Sequence, residues 1–318
     1  SLGNNHQFDY GSEGLKDAMR ILRTSGISFA GAGSNLTQAR SARTREIYRT
    51  RIALISFYSA SWRGVGFELP WESGGSASRG PVISTLSAPK VMLEKEDGTT
   101  EAMAAPLESD VRTMEDAIVV AKRHADIVMV HFHLHWVNHS RAYPLPNKVP
   151  PHQIPVIHKA IDAGADIILG NGPHVLRGIE IYKGKLILYS QGNFIYQWKT
   201  PNKIPPIVFS RDQESMSGYE DTDRSQRGLD PRQERETYLA RFTIRDKKFH
   251  KLEIVPVILN VTGPRMGSPR LANDKRGKEI IECMQELSAP YNTKITYKDW
   301  YGVVELKPTG ETGKDSRN

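Results

Sequence analysis

The apolar positions of this chain change period several times, and each change predicts an element. Residues 12–25 place Leu15, Ala18, Met19, Ile21 and Leu22 at helical spacing, with Gly26 as the stop. Ile27–Ala30 predicts a short strand and Gly31-Ala32-Gly33 a turn. Ser34 or Asn35 is placed to cap a helix running to Arg40. Arg51–Phe57 is a strongly apolar strand, so the first 57 residues alternate helix and strand, as in an α/β protein. Residues 62–108, rich in Gly, Ser and Pro, predict a long loop carrying short strands. Asp110–His124 is an amphipathic helix. Asp126–His131 is apolar at nearly every position, as in a strand covered on both faces.

The second half continues the alternation. Pro151–Ala163 reads as a helix closed by Gly164, then Asp166–Leu169 as a strand, with Gly170–His174 a loop at its C-terminal end. Ile179–Tyr182, Lys183-Gly184 and Lys185–Ser190 form a hairpin pattern. Residues 199–236 are polar, charged and proline-containing, the pattern of a flexible insertion. Thr237–Ile244 and Lys251–Leu259 alternate as strands. A helix around 275–288 and a strand around 301–306 complete a domain over residues 1–307, leaving 308–318 as a disordered tail.

Composition narrows the class. With 318 residues the chain can bury a real core, and it carries no run of the ~20 apolar residues needed to span a bilayer. The lone Cys283 excludes an internal disulfide and a cysteine-based zinc site, and its helical neighbours predict a small core residue. The net charge is +7, and the densest basic run is Arg40, Arg43, Arg45, Arg49 and Arg51, with Glu46 the only acid inside it. Such a run can attract an anionic polymer, but it also reads as a solvated face. No aromatic interleaving or nucleic-acid motif accompanies it, so no nucleic-acid partner is expected.

Chemistry concentrates at four places. His131, His133 and His135 alternate along a strand end, so they share one face, and buried imidazoles need partners that a metal supplies. Asn4-Asn5-His6-Gln7-Phe8-Asp9 offers a neutral amide ligand at Asn5. His6 there can stabilise an oxyanion or protonate a leaving group, and Asp9 can orient His6. Gly170-Asn171-Gly172-Pro173-His174 follows a strand, and its glycines permit close backbone approach to a ligand. Ser190-Gln191-Gly192-Asn193-Phe194 follows another. Turns explain the last three equally well taken singly. Asn-His, then His-x-His on a strand, then Gly-x-x-x-His after a strand is the order of motifs in metallophosphatases, where two metals activate water against a phosphoryl group.

With the stretches Asn4–Gly11, Gly26–Asn35, Ala163–Asp166, Gly170–Tyr182, Tyr189–Phe194 and Pro269–Ala272, the chain resembles bacterial capsule-synthesis proteins of the poly-γ-glutamate type, the CapA family. The resemblance implies a metallophosphatase-like α/β fold: a sandwich of mixed β-sheets flanked by helices. It implies divalent metal (Mn, Fe or Zn) held by Asn5, His133 or its alternative His135, Asn171 and His174. It assigns catalytic-side or site-proximal places to His6, Asp9, Arg177 and Asn193. Two departures stand out. Asn171 occupies the place of a family histidine, and an amide oxygen is the weaker ligand for a soft ion. The family's Gly-Asp strand, whose aspartate bridges two metals, lies upstream of the Asn-Asn-His motif with which this chain nearly begins. The fold is therefore expected to be N-terminally incomplete, by truncation or real loss, with weakened metal binding.

The resemblance implies a metal-dependent hydrolase acting on poly-γ-glutamate, another anionic polymer or a phosphoester. Its alternative is a degenerate member that binds or escorts an anionic polymer. The expected setting is a soluble domain of the bacterial cytoplasm or cell envelope. A nucleotide site at Gly31-Ala32-Gly33 is the weakest reading, since Leu36 stands where the dinucleotide pattern needs its third glycine.

Overall fold

The computed structural model describes residues 1–61, 82–88, 90–94, 100–104, 106–134, 147–196 and 232–306. The elements are α1 (Gly11–Thr24), β1 (Ala32–Gly33), α2 (Leu36–Arg40), β2 (Arg43–Ile47), β3 (Thr50–Ser61), β4 (Val82–Ile83), β5 (Thr85–Ala88), β6 (Lys90–Glu94) and β7 (Thr100–Ala104). Then come α3 (Glu108–His124), β8 (Ile127–Leu134), α4 (Gln153–Asp162), β9 (Ile167–Asn171), β10 (Leu176–Tyr182) and β11 (Lys185–Gln191). The chain continues with β12 (Glu236–Arg245), β13 (Lys248–Leu259), β14 (Pro269–Leu271), α5 (Lys275–Ser288), β15 (Ile295–Lys298) and β16 (Tyr301–Val304).

A seven-stranded sheet in the order β10-β11-β9-β8-β3-β2, with β5 also paired to β3, forms the centre. Strands β3, β8, β9 and β11 run parallel, so their C-terminal ends lie along one edge of the sheet. Brief apolar strands with both faces covered are what the Val/Ile-rich runs dictate. One face carries Ile55, Phe57, Val130, Phe132, Ile168 and Ile187, packed with Met114 and Ile118 of α3 and Ile157 and Ala160 of α4. The other face offers Ile167, Leu186 and Leu188 to Leu252 and Ile254 of β13 and to Ile280, Ile281 and Met284 of α5. Strand β13 belongs to a second sheet, β12-β13-β16-β15 with β14 attached. Over β3 the covering is different: Leu2, Phe8, Leu15 and Met19 close on Tyr58.

The expected α/β layering is present, and the departures from the predicted elements have local causes. Ile27–Ala30 is extended but pairs with no strand; its link is Leu2 N donating to Ala30 O at 2.8 Å. The two-residue strand falls instead on Ala32–Gly33, against Val82 and Ile83. Gly31 is packed into place, since a Cβ there would lie 2.5 Å from Gly3 N. Strand β9 runs on to Asn171, beyond the predicted end at Leu169. β2 was not predicted at all; it returns through Tyr48-Arg49, a two-residue turn of positive φ (45° and 61°) without the usual Asn-Gly signal. The hairpin at Lys183-Gly184 appears as expected. Strands β4 to β7 fall in the segment read as a loop with short strands. Of the insertion expected over 199–236, residues 199–231 lie outside the described residues, while Gln233–Arg235 form a 3-10 turn and Glu236 opens β12; the expected tail 308–318 also lies outside them. No described helix is long and apolar enough to cross a membrane.

Candidate functional site

The C-terminal ends of the parallel strands gather most of the predicted site. Register sets His133 of β8 beside Tyr58 of β3 on one side and Asn171 of β9 on the other. Neighbours in register share a face, so Tyr58, His133 and Asn171 project together. His133 Nδ1 and Asn171 Oδ1 are 2.7 Å apart. The amide oxygen accepts, so the ring carries its proton on Nδ1 and its lone pair on Nε2. The Tyr58 ring stands 5.8 Å from the His133 ring and brings the Leu2–Phe8 segment against the site.

His131, two residues back on the same face, is spent differently. Its Nδ1 lies 2.8 Å from Ser1 Oγ and 3.1 Å from Ser56 Oγ. Burial pushes the imidazole pKa down to about 3, so this ring is neutral at physiological pH.

The second half of the site follows β9 and β11. Gly172 (φ +114°) turns the chain across the end of β8, and a Cβ there would press on Leu134 backbone at 3.0 Å. The turn delivers His174, itself at φ 63°, a backbone region a non-glycine residue seldom occupies. Asn193 Oδ1 accepts from His174 Nδ1 at 2.7 Å. The orientation of this amide is fixed by its other end, where Nδ2 donates to His174 O at 3.3 Å and Glu234 O at 3.0 Å. His133 and His174 are thus held the same way: an asparagine oxygen takes the Nδ1 proton and leaves the ring's lone pair on Nε2. Such outer hydrogen bonds set ring orientation and basicity in metal sites.

The Asn-His motif forms a turn beside this edge. Asn4 Oδ1 accepts from His6 N and Gln7 Nε2, both at 3.0 Å. His6 is exposed, and its Nδ1 meets Asp9 Oδ2 at 2.9 Å. Asn5 is buried, and its Oδ1, like Asp9 Oδ1, has no hydrogen-bond partner among the described residues. Buried acceptors without donors are rare and call for an explanation, of which a bound cation is one.

Among the described residues no three His, Cys, Asp or Glu side chains gather to hold a metal, so an ion at this edge would need the Asn5 oxygen as well as imidazole. Asn171, expected as a ligand, accepts from His133 through its Oδ1. Arg177 is buried beneath α4, donates to Gln153 Oε1 at 3.3 Å and has its pKa lowered to about 10 by burial. It sits at the same end of the sheet, since Arg177 pairs with Ser190 near the close of β11. His135 lies outside the described residues. Cys283, expected as a small core residue, is only half-buried on α5, and burial first, then Glu236 and Glu286, push its thiol up to about 11.

The profile of the family described as bacterial capsule synthesis protein PGA_cap matches residues 1–197. The chain belongs to the PGA_cap family. The matched span ends just past β11, so it holds every site residue named above, and the metallophosphatase-like α/β fold expected from the sequence is the family's. The uncharacterized protein y4sH of Sinorhizobium fredii is 27% identical over 95% of this chain and 75% of its own length. The capsule biosynthesis protein CapA of Bacillus anthracis is 29% identical over 62% of this chain. The PGA biosynthesis protein CapA of Bacillus subtilis is 31% identical over 61% of it. The chain spans 39% and 41% of those two CapA proteins.

Sequence reading missed one anchor of the PGA_cap fold, at the end of β9 opposite the candidate site. Asp166, taken only as part of a matching stretch, is buried. Its Oδ2 accepts from Val128 N at 2.8 Å and Lys122 Nζ at 2.6 Å, and its Oδ1 from Lys185 Nζ at 2.5 Å. It ties α3, β8 and β11 to the start of β9. The available signal was an aspartate before an all-apolar strand, where only a partnered charge is tolerated.

Proposed function

We propose that this PGA_cap chain is a metal-dependent hydrolase acting on an anionic polymer of the poly-γ-glutamate kind or on a phosphoester. The carrying observation is the matched pair of strand-end histidines, His133 and His174, each held through Nδ1 by an asparagine oxygen at 2.7 Å. On this reading His133, His174 and Asn5 hold one divalent ion of the Mn, Fe or Zn class. Such an ion supplies Lewis-acid polarisation of a phosphoryl or acyl oxygen. His6 works on the leaving-group side: Asp9 holds the ring through Nδ1 and leaves Nε2 to serve the leaving group. The printed names of the Bacillus relatives, capsule and PGA biosynthesis proteins, support the polymer class.

The test loads the purified chain with Mn, Fe or Zn and assays a phosphodiester and poly-γ-glutamate. The expected result is near-stoichiometric metal by elemental analysis and turnover that chelator removes. His133→Ala and His174→Ala should lose both. Absence of metal, together with chelator-insensitive activity or none, overturns the hydrolase. The lack of a three-residue His/Asp/Glu cluster among the described residues favours a second reading, an escort of anionic polymer. That reading expects saturable poly-γ-glutamate binding with no turnover under any metal.

A further inference from the structure

Away from the candidate site, the sheet ends in a feature that neither the hydrolase nor the escort reading uses. Strand β2 is the last in its sheet, and all five of its residues are exposed. Its hairpin closes through the Ile47–Thr50 pair around a two-residue turn. In such a hairpin alternate pairs are hydrogen-bonded, so the bonding pairs are Ile47–Thr50, Arg45–Ile52 and Arg43–Leu54. The N–H and C=O groups of Thr44 and Glu46 therefore point outward, and no described backbone group meets them.

The charge around this edge is one-sided. Arg43 and Arg45 share a face of the strand, and Arg43 stands 5.8 Å from the centre of the buried Phe29 ring. Arg23 of α1 stands 5.3 Å from the same ring. Arg45 Nη2 donates to Gly26 O at 3.1 Å. Arg49 sits in the turn. None of Arg23, Arg43, Arg45 and Arg49 has an acidic partner among the described residues, whereas Arg40 and Arg51 are paired with Asp110 and Asp126. Glu46 is the one acid in the strand. It lies on the opposite face, across from Arg51. Phe29 thus props the Arg23 and Arg43 guanidinium groups in place.

We propose that the outer edge of β2 takes an acidic polypeptide segment as an added strand. The backbone of Thr44 and Glu46 supplies the ladder, and Arg43 and Arg45 face carboxylates spaced every second residue, roughly 6.8 Å apart. A second copy of this chain fits poorly: antiparallel pairing centred on Arg45 sets Arg45 against Arg45, and like charges directly opposite destabilise a sheet. A γ-linked glutamate polymer has the charge but a backbone repeat that does not match the ladder. The unpaired arginines thus guard the edge against self-association while selecting an acidic strand.

The experiment measures fluorescence anisotropy of a short labelled peptide of alternating Glu and Val with the full chain at low salt. Arg43→Glu/Arg45→Glu should weaken binding by about tenfold or more, while binding a Lys–Val counterpart that the parent chain rejects. The same Glu–Val peptide, N-methylated at alternate residues, keeps its charge and loses its ladder, and should not bind. This arm needs no protein variant. Equal binding of the N-methylated peptide, equal binding of poly-γ-glutamate, or no binding of the Glu–Val peptide at low salt each overturns the added-strand proposal. None of these results bears on metal or turnover at His133 and His174.

Discussion

Asn193 does two jobs with one side chain. Its oxygen holds the His174 ring, and its nitrogen spans from His174 O to Glu234 O, across the loop ends that follow β9 and precede β12. Asn193→Ala should cost about 1–3 kcal/mol in urea denaturation, because buried backbone acceptors lose their donor. On the hydrolase reading it should also weaken metal binding by about 10–100-fold in a competition titration. Asn193→Asp keeps the acceptor for the ring and loses the donor to Glu234. It should therefore retain metal affinity while sharing the stability loss, a split that separates the two jobs. The sequence showed Asn193 only as part of a motif. It meets His174 because the β10–β11 hairpin, whose register pairs Leu176 with Gln191, brings the segments that flank it together.

At the scale of elements, two carboxylates fasten what the strands alone leave loose. Asp166 joins Lys122 of α3, Val128 of β8 and Lys185 of β11. Asp166→Ala should lower stability by about 2–3 kcal/mol in urea, mostly from the stranded Val128 N–H. Asp166→Asn, which can still accept from Val128 N, should cost less. Glu253 on β13 accepts from Arg241 Nε at 2.6 Å and pairs with Lys251 Nζ at 2.5 Å. Arg241 first, then Lys251, hold its carboxyl below the ordinary value of 4.5. A depressed carboxylate stabilises the fold above the pKa of the unfolded chain, and that contribution fades as pH falls through the folded value. Glu253→Gln should therefore flatten the stability curve below about pH 4.5 and lower the plateau above it, read by thermal melts across pH. The strands carrying these groups were legible from their alternation. β2 was not, because an edge strand of Arg, Thr and Glu with no buried face has no hydrophobic period to show.

For the whole molecule, the candidate site depends on where separate segments meet. The Leu2–Phe8 segment, the ends of β8 and β9, and the loop after β11 come together only once both faces of the central sheet are covered. A ligand that binds only this assembled edge stabilises the entire fold by mass action. On the proposed reading, the melting temperature of the full chain should rise with Mn, Fe or Zn concentration. His133→Ala and His174→Ala should abolish that rise while keeping the metal-free melting temperature close to the parent's. A shift that persists in both variants would place the metal elsewhere. The sequence by itself determined the α/β class, most helices and strands, and the family, because hydrophobic period and motif spacing are local properties of the chain. It also marked Asn5, His6, Asp9, His133, His135, Asn171, His174, Arg177 and Asn193 as candidate site residues. Only the tertiary structure decided what each does: that His131 is spent on serine hydroxyls, that Asn171 faces His133, that Asn193 holds His174, and that the arginine run lines an open strand edge over Phe29. Those pairings join residues tens of positions apart, and strand order and register, set by which apolar faces bury together, bring them within a hydrogen bond's length.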